Sequence, residues 1–270
     1  MARLPATSAF AALGLALLVP AALVPGLGPA AAETRAFRAD YTVTLLGLPV
    51  ARARFDSTFS GGRFRIEGSL SSTGLARIFD DTEGTTSVEG VIEGDGVRPA
   101  AFDADYVSGR KKGRTAIRFA GGDVESVVNQ PQKTRDPRSW VAVSQAHLKA
   151  ALDPLSSALV VAKRPEEVCG RTIRFFDGEL RADLKLAPAR GADGGPDGKL
   201  DGARVTCTAS FVPVAGYRKG RKQIEYLKDR SRIAITFAPL SGTGLYTPVD
   251  ASVGTRIGTL RILATRIEAR

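Results

Sequence analysis

Short segments in which apolar and polar residues alternate follow one another through most of the chain. In the first of them, Tyr41, Val43 and Leu45 alternate with Thr42 and Thr44. The same period recurs at residues 51–56, 64–70, 85–91, 102–106, 115–119, 204–211, 233–237 and 258–267. A period of two, punctuated by Gly and Pro, is typical of antiparallel strands with one solvated face. The pattern therefore predicts a mainly β protein built as an antiparallel meander.

One segment has the period of a helix instead. Asp153 is suited to accept a backbone N–H as an N-cap, and Pro154 fits the first helical position. Leu155 and Leu159 then fall on one face, and Pro165 ends the run. The segment predicts a helix that begins at Asp153.

A hairpin is predicted directly afterwards. Asp177-Gly178 between alternating runs is the signature of a two-residue type I′ turn. That register places Phe175 opposite Leu180 and Ile173 opposite Ala182 on an apolar face. The other face then holds the polar residues Glu179, Arg181, Asp183 and Lys185.

The N-terminal segment has the layout of an exported protein. Arg3 precedes an apolar stretch at residues 10–24, and small residues follow at 29–32. This predicts a signal peptide over residues 1–32, with an uncleaved anchor as the alternative. Residues 33–270 are then a single β-rich periplasmic domain, peripheral to the membrane, because no later apolar run approaches the roughly 20 residues that a spanning helix needs.

The two cysteines, Cys169 and Cys207, both lie in the exported part. An even pair in an oxidising compartment indicates a disulfide, with two buried thiols as the alternative. Closing a loop of that length stabilises a fold by about 4 kcal/mol in the chain-entropy model.

The sequence shows no catalytic constellation. His147 is the only histidine of the 270 residues, which excludes triads and metal sites built on several histidines. Asp80, Asp81 and Glu83 could pair as acid and base in glycoside hydrolysis, and they also fit a solvated turn. We therefore expect a protein that is not an enzyme, without catalytic, metal-binding or cofactor-binding residues.

The formal charge of +10 favours anionic surroundings such as lipid head groups or acidic glycans. Two basic turns concentrate part of that charge. They are either plain hairpin tips or a rim for an anionic ligand, and without interleaved aromatic residues they do not indicate nucleic-acid binding. The residues are Arg110, Lys111, Lys112, Arg114, Arg218, Lys219, Arg221 and Lys222.

Several motifs in order resemble a known family. They are the 41–48 strand, Gly74-Leu75-Ala76 before an acidic pair, Asp153-Pro154-Leu155-Ser156, Phe175-Phe176-Asp177-Gly178, residues 211–217 and residues 227–235. This order resembles the proteobacterial periplasmic proteins grouped as domain of unknown function 3108. The resemblance implies an envelope location and an extended antiparallel sheet with helical cover, and it supplies no activity. A more distant similarity to periplasmic lipoprotein-carrier half-barrels implies a curved sheet, open or half-barrel, with one or two helices on its concave face.

Two functions remain open at this level. The first is a non-enzymatic envelope protein that binds a lipid, an acyl group or an envelope partner in the concavity of the sheet. The second is a glycan-acting hydrolase that uses carboxylates such as Asp81 and Glu83. For the first, the expected apolar ligand face consists of Phe55, Ile66, Leu155, Leu159, Phe175, Leu180 and Phe211.

Overall fold

A computed structural model of the protein describes residues 33–74, 81–189 and 204–270, and Glu33–Arg270 forms one compact unit. The expected signal peptide at residues 1–32 lies outside the described residues. The strands are β1 Arg35–Leu45, β2 Leu48–Ser60, β3 Arg63–Ser72, β4 Thr82–Glu93, β5 Gly96–Ser108, β6 Lys111–Ala120, β7 Asp123–Gln130, β8 Trp140–Val141, β9 Val160–Val161, β10 Thr172–Phe176, β11 Arg181–Pro188, β12 Val205–Ala215, β13 Tyr217–Arg218, β14 Ile233–Leu240, β15 Leu245–Thr255 and β16 Gly258–Ala269. Within these ranges one α-helix occurs, α1 Lys222–Asp229.

Fourteen strands form one antiparallel sheet. Its order is β10-β11-β12-β14-β15-β16-β1-β2-β3-β4-β5-β6-β7, and β9 pairs with the first residues of β15. β8 and β13 form a separate two-stranded sheet. Because β10 and β7 end the order and do not pair, the sheet is not closed into a barrel. The predicted mainly β class and large antiparallel sheet are confirmed.

Opposite charges on neighbouring strands stabilise the outer face of the sheet. Arg38 pairs with Asp56 at 2.7 Å, and Arg54 pairs with Asp40 at 2.7 Å, both between β1 and β2. These residues occupy the polar positions of the alternation, and directly opposed charge pairs favour this register over a one-residue slip.

Residues 143–159, here called the plug, pack against part of the inner face of β1 to β6. The plug contributes Leu148, Ala151 and Leu159 to a continuous apolar cluster. The strands contribute Phe37, Phe59, Phe64, Ile66, Val88, Phe102 and Ile117 to the same cluster. A second cluster lies under the C-terminal strands and includes Phe211, Ile224 and Phe237.

A disulfide joins Cys169 to Cys207, the pair expected from the sequence, with an S–S distance of 2.03 Å. Cys207 is fully buried on β12, and Cys169 lies in the turn that precedes β10. The bond thereby ties that turn to the centre of the second cluster.

The helix predicted from Asp153 is wrong. Asp153 does accept the N–H groups of Leu155 and Ser156, each at 2.9 Å, but it caps only a 3₁₀ turn, Ser156–Ala158. Val160 and Val161 then pair with β15 as a strand. Capping is local chemistry, whereas two consecutive β-branched residues beside an available strand edge favour extended structure.

The prediction of a two-residue turn in the hairpin is also wrong. The last pair of the β10–β11 ladder is Phe176 with Arg181, so the loop contains four residues, 177–180. The Asp177 carboxylate organises this loop by accepting the N–H groups of Glu179 and Leu180 at 2.9 and 2.7 Å. The observed pairing of β10 with β11 differs from the predicted pairing by two residues. An even shift keeps the apolar residues on one face of the hairpin.

Arg181 was expected on a solvated face, yet its side chain is only 1% exposed. Its guanidinium donates to the carbonyl of His147 in the plug at 2.9 Å and pairs with Asp183 at 2.6 Å. A buried cation needs such partners. The polar face of β11 therefore anchors the plug to the sheet.

The one described α-helix follows the second basic turn directly and begins at Lys222. Ile224 of α1 is buried in the second cluster, and Leu227 packs there at helical spacing.

Candidate functional site

One row of paired residues crosses six neighbouring strands on the inner face. Paired residues in an antiparallel ladder point to the same side of the sheet. From β1 to β6 the row consists of Tyr41, Ala53, Leu70, Gly84, Tyr106 and Gly113. Large and small residues alternate along it, so the inner surface has gaps between its side chains.

A cavity of about 1310 Å³ lies against this row. Its wall contains residues of β16 and of β1 to β7, eight strands that are consecutive in the sheet. Eight strands laid flat span about 33 Å at the usual spacing. A single cavity can contact all of them only if the sheet curls around it, so the row lies on a concave face.

Packed residues close one side of the cavity towards the first apolar cluster. The neighbouring row on the same face includes Phe55, Gly68, Thr86 and Ala104. A Cβ on Gly68 would lie 2.5 Å from the Phe55 ring, so this ring covers the glycine. Tyr41 meets Phe55 edge to face at 5.7 Å between ring centroids. The cavity therefore stops at these rings.

The two tyrosines of the row differ in availability. The Tyr41 hydroxyl donates to the Pro248 carbonyl at 2.7 Å, and burial raises the pKa of Tyr41 to about 12. Tyr106 is 44% exposed and lies over Gly113, where a Cβ would overlap its ring. Among the described residues, no hydrogen-bond partner of the Tyr106 hydroxyl is found. Tyr41 is therefore structural, and Tyr106 is available to a ligand.

Mostly polar or charged residues on the wall flank the row within the strands. By alternation their side chains point towards the outer face, where Arg54 pairs with Asp40 and Arg114 pairs with Asp103 at 3.2 Å. The side chains of the row itself are aromatic, aliphatic or small. The wall as a whole therefore offers both polar and apolar surface, and its apolar part comes from the row.

The expected apolar ligand face does not line this cavity. Ile66 and Leu159 are buried in the first cluster, against which Phe55 and Leu155 pack. Phe211 is buried in the second cluster, against which Leu180 packs. Phe175 is half-buried on β10 and belongs to neither cluster. Most of these residues therefore fill the core rather than line this cavity.

The two expected basic turns are placed differently. Lys112 and Arg114 belong to the cavity wall, and Arg110 and Lys111 form the tip of the same hairpin. The second turn lies on β13 and α1, away from the wall. Its residues are Arg218, Lys219, Arg221 and Lys222. A single rim made of both turns is therefore not formed around this cavity.

The candidate carboxylates do not form a recognisable acid–base pair. Glu83 belongs to the wall and lies opposite Ser71, on the outer face by register. Asp81 accepts a hydrogen bond from Ser72 at 3.3 Å, and Asp80 lies outside the described residues. His147 accepts the Ser144 N–H at 3.2 Å and so stabilises its own 3₁₀ turn.

Within the described part of the chain, no group of three or more His, Cys, Asp or Glu residues is arranged to hold a metal ion. None of the described helices has the length and apolar character needed to cross a membrane.

The cavity row was missed by sequence reasoning. Each of its residues was assigned to a strand or lay beside one, but the alternation does not tell which positions of an inner face remain uncovered. The one available signal was the presence of small residues, such as Ala53, in the alternating segments.

Comparisons with known proteins place the chain in a family without a described activity. No curated protein matches it. The crystal structure of a beta-barrel-like protein of domain of unknown function DUF1849 from Brucella abortus is similar, with 12% sequence identity and a TM-score of 0.49. That similarity covers 89% of this chain and 100% of the other. The model of the family described as protein of unknown function DUF3108 matches residues 40–265. This chain therefore belongs to the DUF3108 family.

Proposed function

We propose that the protein is a non-enzymatic binding protein of the cell envelope. In this proposal the cavity holds the apolar part of an amphiphile such as a lipid or a fatty acid. One observation carries the proposal. The row from Tyr41 to Gly113 presents uncovered aromatic, aliphatic and small residues to a cavity of about 1310 Å³.

The physical chemistry of this surface supports an acyl chain. Leu70 is 41% exposed and Tyr106 is 44% exposed, although both belong to the inner face. Burying a chain against them contributes about 0.8 kcal/mol per methylene without any directional contact. The free Tyr106 hydroxyl adds one polar contact, suited to an ester or carboxylate oxygen.

The proposed location has two supports. Residues 1–32 have the composition of an export signal. The Cys169–Cys207 disulfide is typical of proteins from oxidising compartments. We expect the exported protein to begin near Glu33, which intact mass would establish.

The experiment is ligand detection followed by a variant that fills the cavity. Native mass spectrometry of protein recovered from the envelope should show a bound lipid. Adding palmitate or lysophosphatidylglycerol to delipidated protein should raise its unfolding temperature. Leu70→Trp places a large ring in the cavity and should weaken binding roughly tenfold or more, which corresponds to about two displaced methylenes.

Val91→Trp is the matched control. Val91 is 40% exposed on β4, away from the cavity wall, so Trp should leave binding unaltered there although it adds more volume than at Leu70. A protein that carries no lipid and shows no thermal shift with either probe would refute the proposal. Equal weakening by the two Trp variants would also refute it, because the effect would then not come from the cavity.

A further inference from the structure

Three large apolar side chains are strongly exposed on two neighbouring hairpin tips. Leu46 is 69% exposed and Leu48 is 59% exposed at the β1–β2 turn, and Ile257 is 69% exposed at the β15–β16 turn. The tips touch, since the Leu46 N–H donates to the Thr259 carbonyl at 3.1 Å and a Cβ on Gly258 would overlap the Leu46 side chain. Together they form one apolar patch.

The patch and the cavity lie towards the same ends of the strands. β1 runs from the first apolar cluster at Phe37, past Tyr41 of the cavity row, to the tip after Leu45. The strands are antiparallel, so the β5–β6 turn after Ser108 lies at this same end.

Three exposed cations lie on these turns. Arg110 and Lys111 at the β5–β6 turn and Arg256 beside Ile257 are exposed, and none has an ion-pair partner among the described residues. Residues 43–51, 107–113 and 253–260 contain no Asp or Glu, whereas Asp81 and Glu83 at the start of β4 also lie at this end. The opposite end differs, because its β4–β5 turn contains Glu93 and Asp95 with glycines and no large apolar tip.

We propose that these hairpin tips dock the protein on an anionic lipid bilayer, with the open end of the cavity turned towards the membrane. The apolar tips enter the interface, and the cations contact lipid phosphates. Three side chains on protruding turns are too few for a stable protein interface, which buries roughly 800 Å² on each partner. A bilayer instead accepts each apolar side chain separately and adds attraction for cations near its surface.

The test is co-sedimentation of the purified chain, its N-terminus established by intact mass, with vesicles of two compositions. One contains equal parts of phosphatidylglycerol and phosphatidylcholine, and the other contains phosphatidylcholine alone. We expect binding to the anionic vesicles that weakens with salt. The triple variant Leu46→Ser, Leu48→Ser and Ile257→Ser should bind roughly tenfold or more weakly. The double variant Arg110→Gln, Lys111→Gln should bind the anionic vesicles more weakly, by roughly fivefold for each cation removed. This loss should be seen only at low salt.

The chain offers a matched control for the triple variant. Val91, Val128 and Leu263 are 40%, 50% and 37% exposed elsewhere on the sheet, and their replacement by Ser should leave vesicle binding unchanged. Equal loss in both triple variants, or equal binding of the wild type to both vesicle types, would overturn the proposal. Leu70→Trp should still bind vesicles, so the docking surface and the cavity are tested separately. All variants are compared only after their unfolding curves show a folded protein.

Discussion

The side chain of Asn129 on β7 donates a hydrogen bond of 2.8 Å to the carbonyl of Gly178 in the β10–β11 loop. β7 and β10 are the two ends of the large sheet and do not pair with each other. A Cβ on Gly178 would overlap the side chain of Thr115 on β6, so the loop lies directly against the inner face. This contact links the two ends of an open sheet.

Asn129→Ala should therefore loosen the link between the sheet ends. The substitution removes the bond to Gly178 and the bond that Asn129 accepts from Thr115 at 2.8 Å. We expect the free energy of unfolding to fall by about 1–2 kcal/mol. Amide hydrogen exchange in residues 177–180 should become faster. Gln130→Ala, at an exposed neighbouring position, should change neither quantity, and equal effects of the two variants would argue against the link.

Removal of the disulfide should lower stability strongly. Cys169 and Cys207 are separated by 38 positions, and opening that loop in the unfolded chain lowers the free energy of unfolding by about 4 kcal/mol. Urea unfolding of the Cys169→Ala, Cys207→Ala double variant measures this change. The wild type unfolded in reductant should reproduce most of it. An unchanged urea midpoint in both experiments would contradict the expected contribution.

Two inner-face glycines should respond differently to Ala. A Cβ on Gly90 would overlap the backbone carbonyl of Arg98, which cannot move away, so Gly90→Ala should lower the free energy of unfolding by about 1–3 kcal/mol. A Cβ on Gly113 would meet only the Tyr106 ring, which can turn into the cavity. Gly113→Ala should change stability little and shift the NMR signals of Tyr106.

The control for both glycines is Gly96→Ala. No atom lies within 4 Å of a Cβ built on Gly96, and its backbone is not in the left-handed region. Ala should be neutral or stabilising there, because it reduces the freedom of the unfolded chain. A cost for Gly113→Ala equal to that for Gly90→Ala would show that the Tyr106 ring is held in place.

The buried carboxylate of the plug should make stability depend on pH. Burial raises the pKa of Asp153, despite the N–H groups of Leu155 and Ser156 that favour its charged form. The folded state thus holds the proton more tightly than the unfolded state, whose pKa is about 3.9. The contribution of Asp153 to stability is complete below about pH 4 and is lost as the pH rises through the raised value. The stability of the wild type relative to Asp153→Asn should fall across that range.

Asp123→Asn gives a control of opposite sign. The hydrogen bond from Lys149 and the Ala150 N–H lower the pKa of Asp123. The contribution of Asp123 is therefore present above about pH 4 and lost as the pH falls through its lowered value. Unfolding curves of the three proteins across pH, at constant salt, measure both differences. Parallel pH profiles for the wild type and Asp153→Asn would contradict the burial argument.

Local patterns in the sequence determined the fold class and much of its strand content. Phe64 and Ile66 alternate with Arg65 and Glu67 because one face of β3 is buried and the other is exposed. The same period located most of β2 to β6, β12, β14 and β16. The disulfide could likewise be predicted, since two cysteines can form only one pair. The strands depend on residues close together in the sequence, and the disulfide depends only on the number of cysteines.

Tertiary structure decided what the local pattern could not. Val160 and Val161 lay within the segment that the spacing of Leu155 and Leu159 predicted as a helix, yet they pair with the free edge of β15 as a strand. Arg181 looked like a solvated residue of β11, yet the carbonyl of His147 in the plug meets it in the interior. In both cases the deciding partner is distant in sequence.

The cavity likewise depends on tertiary structure and not on the local pattern alone. Alternation places Phe55 and Tyr106 on the same inner face, but it does not distinguish them. Phe55 packs against Gly68 and the first apolar cluster, whereas Tyr106 faces the cavity. The difference arises because the plug covers only part of the concave face. How far a plug reaches depends on the curvature of the sheet and on the packing of distant segments, which no periodicity in a single strand encodes.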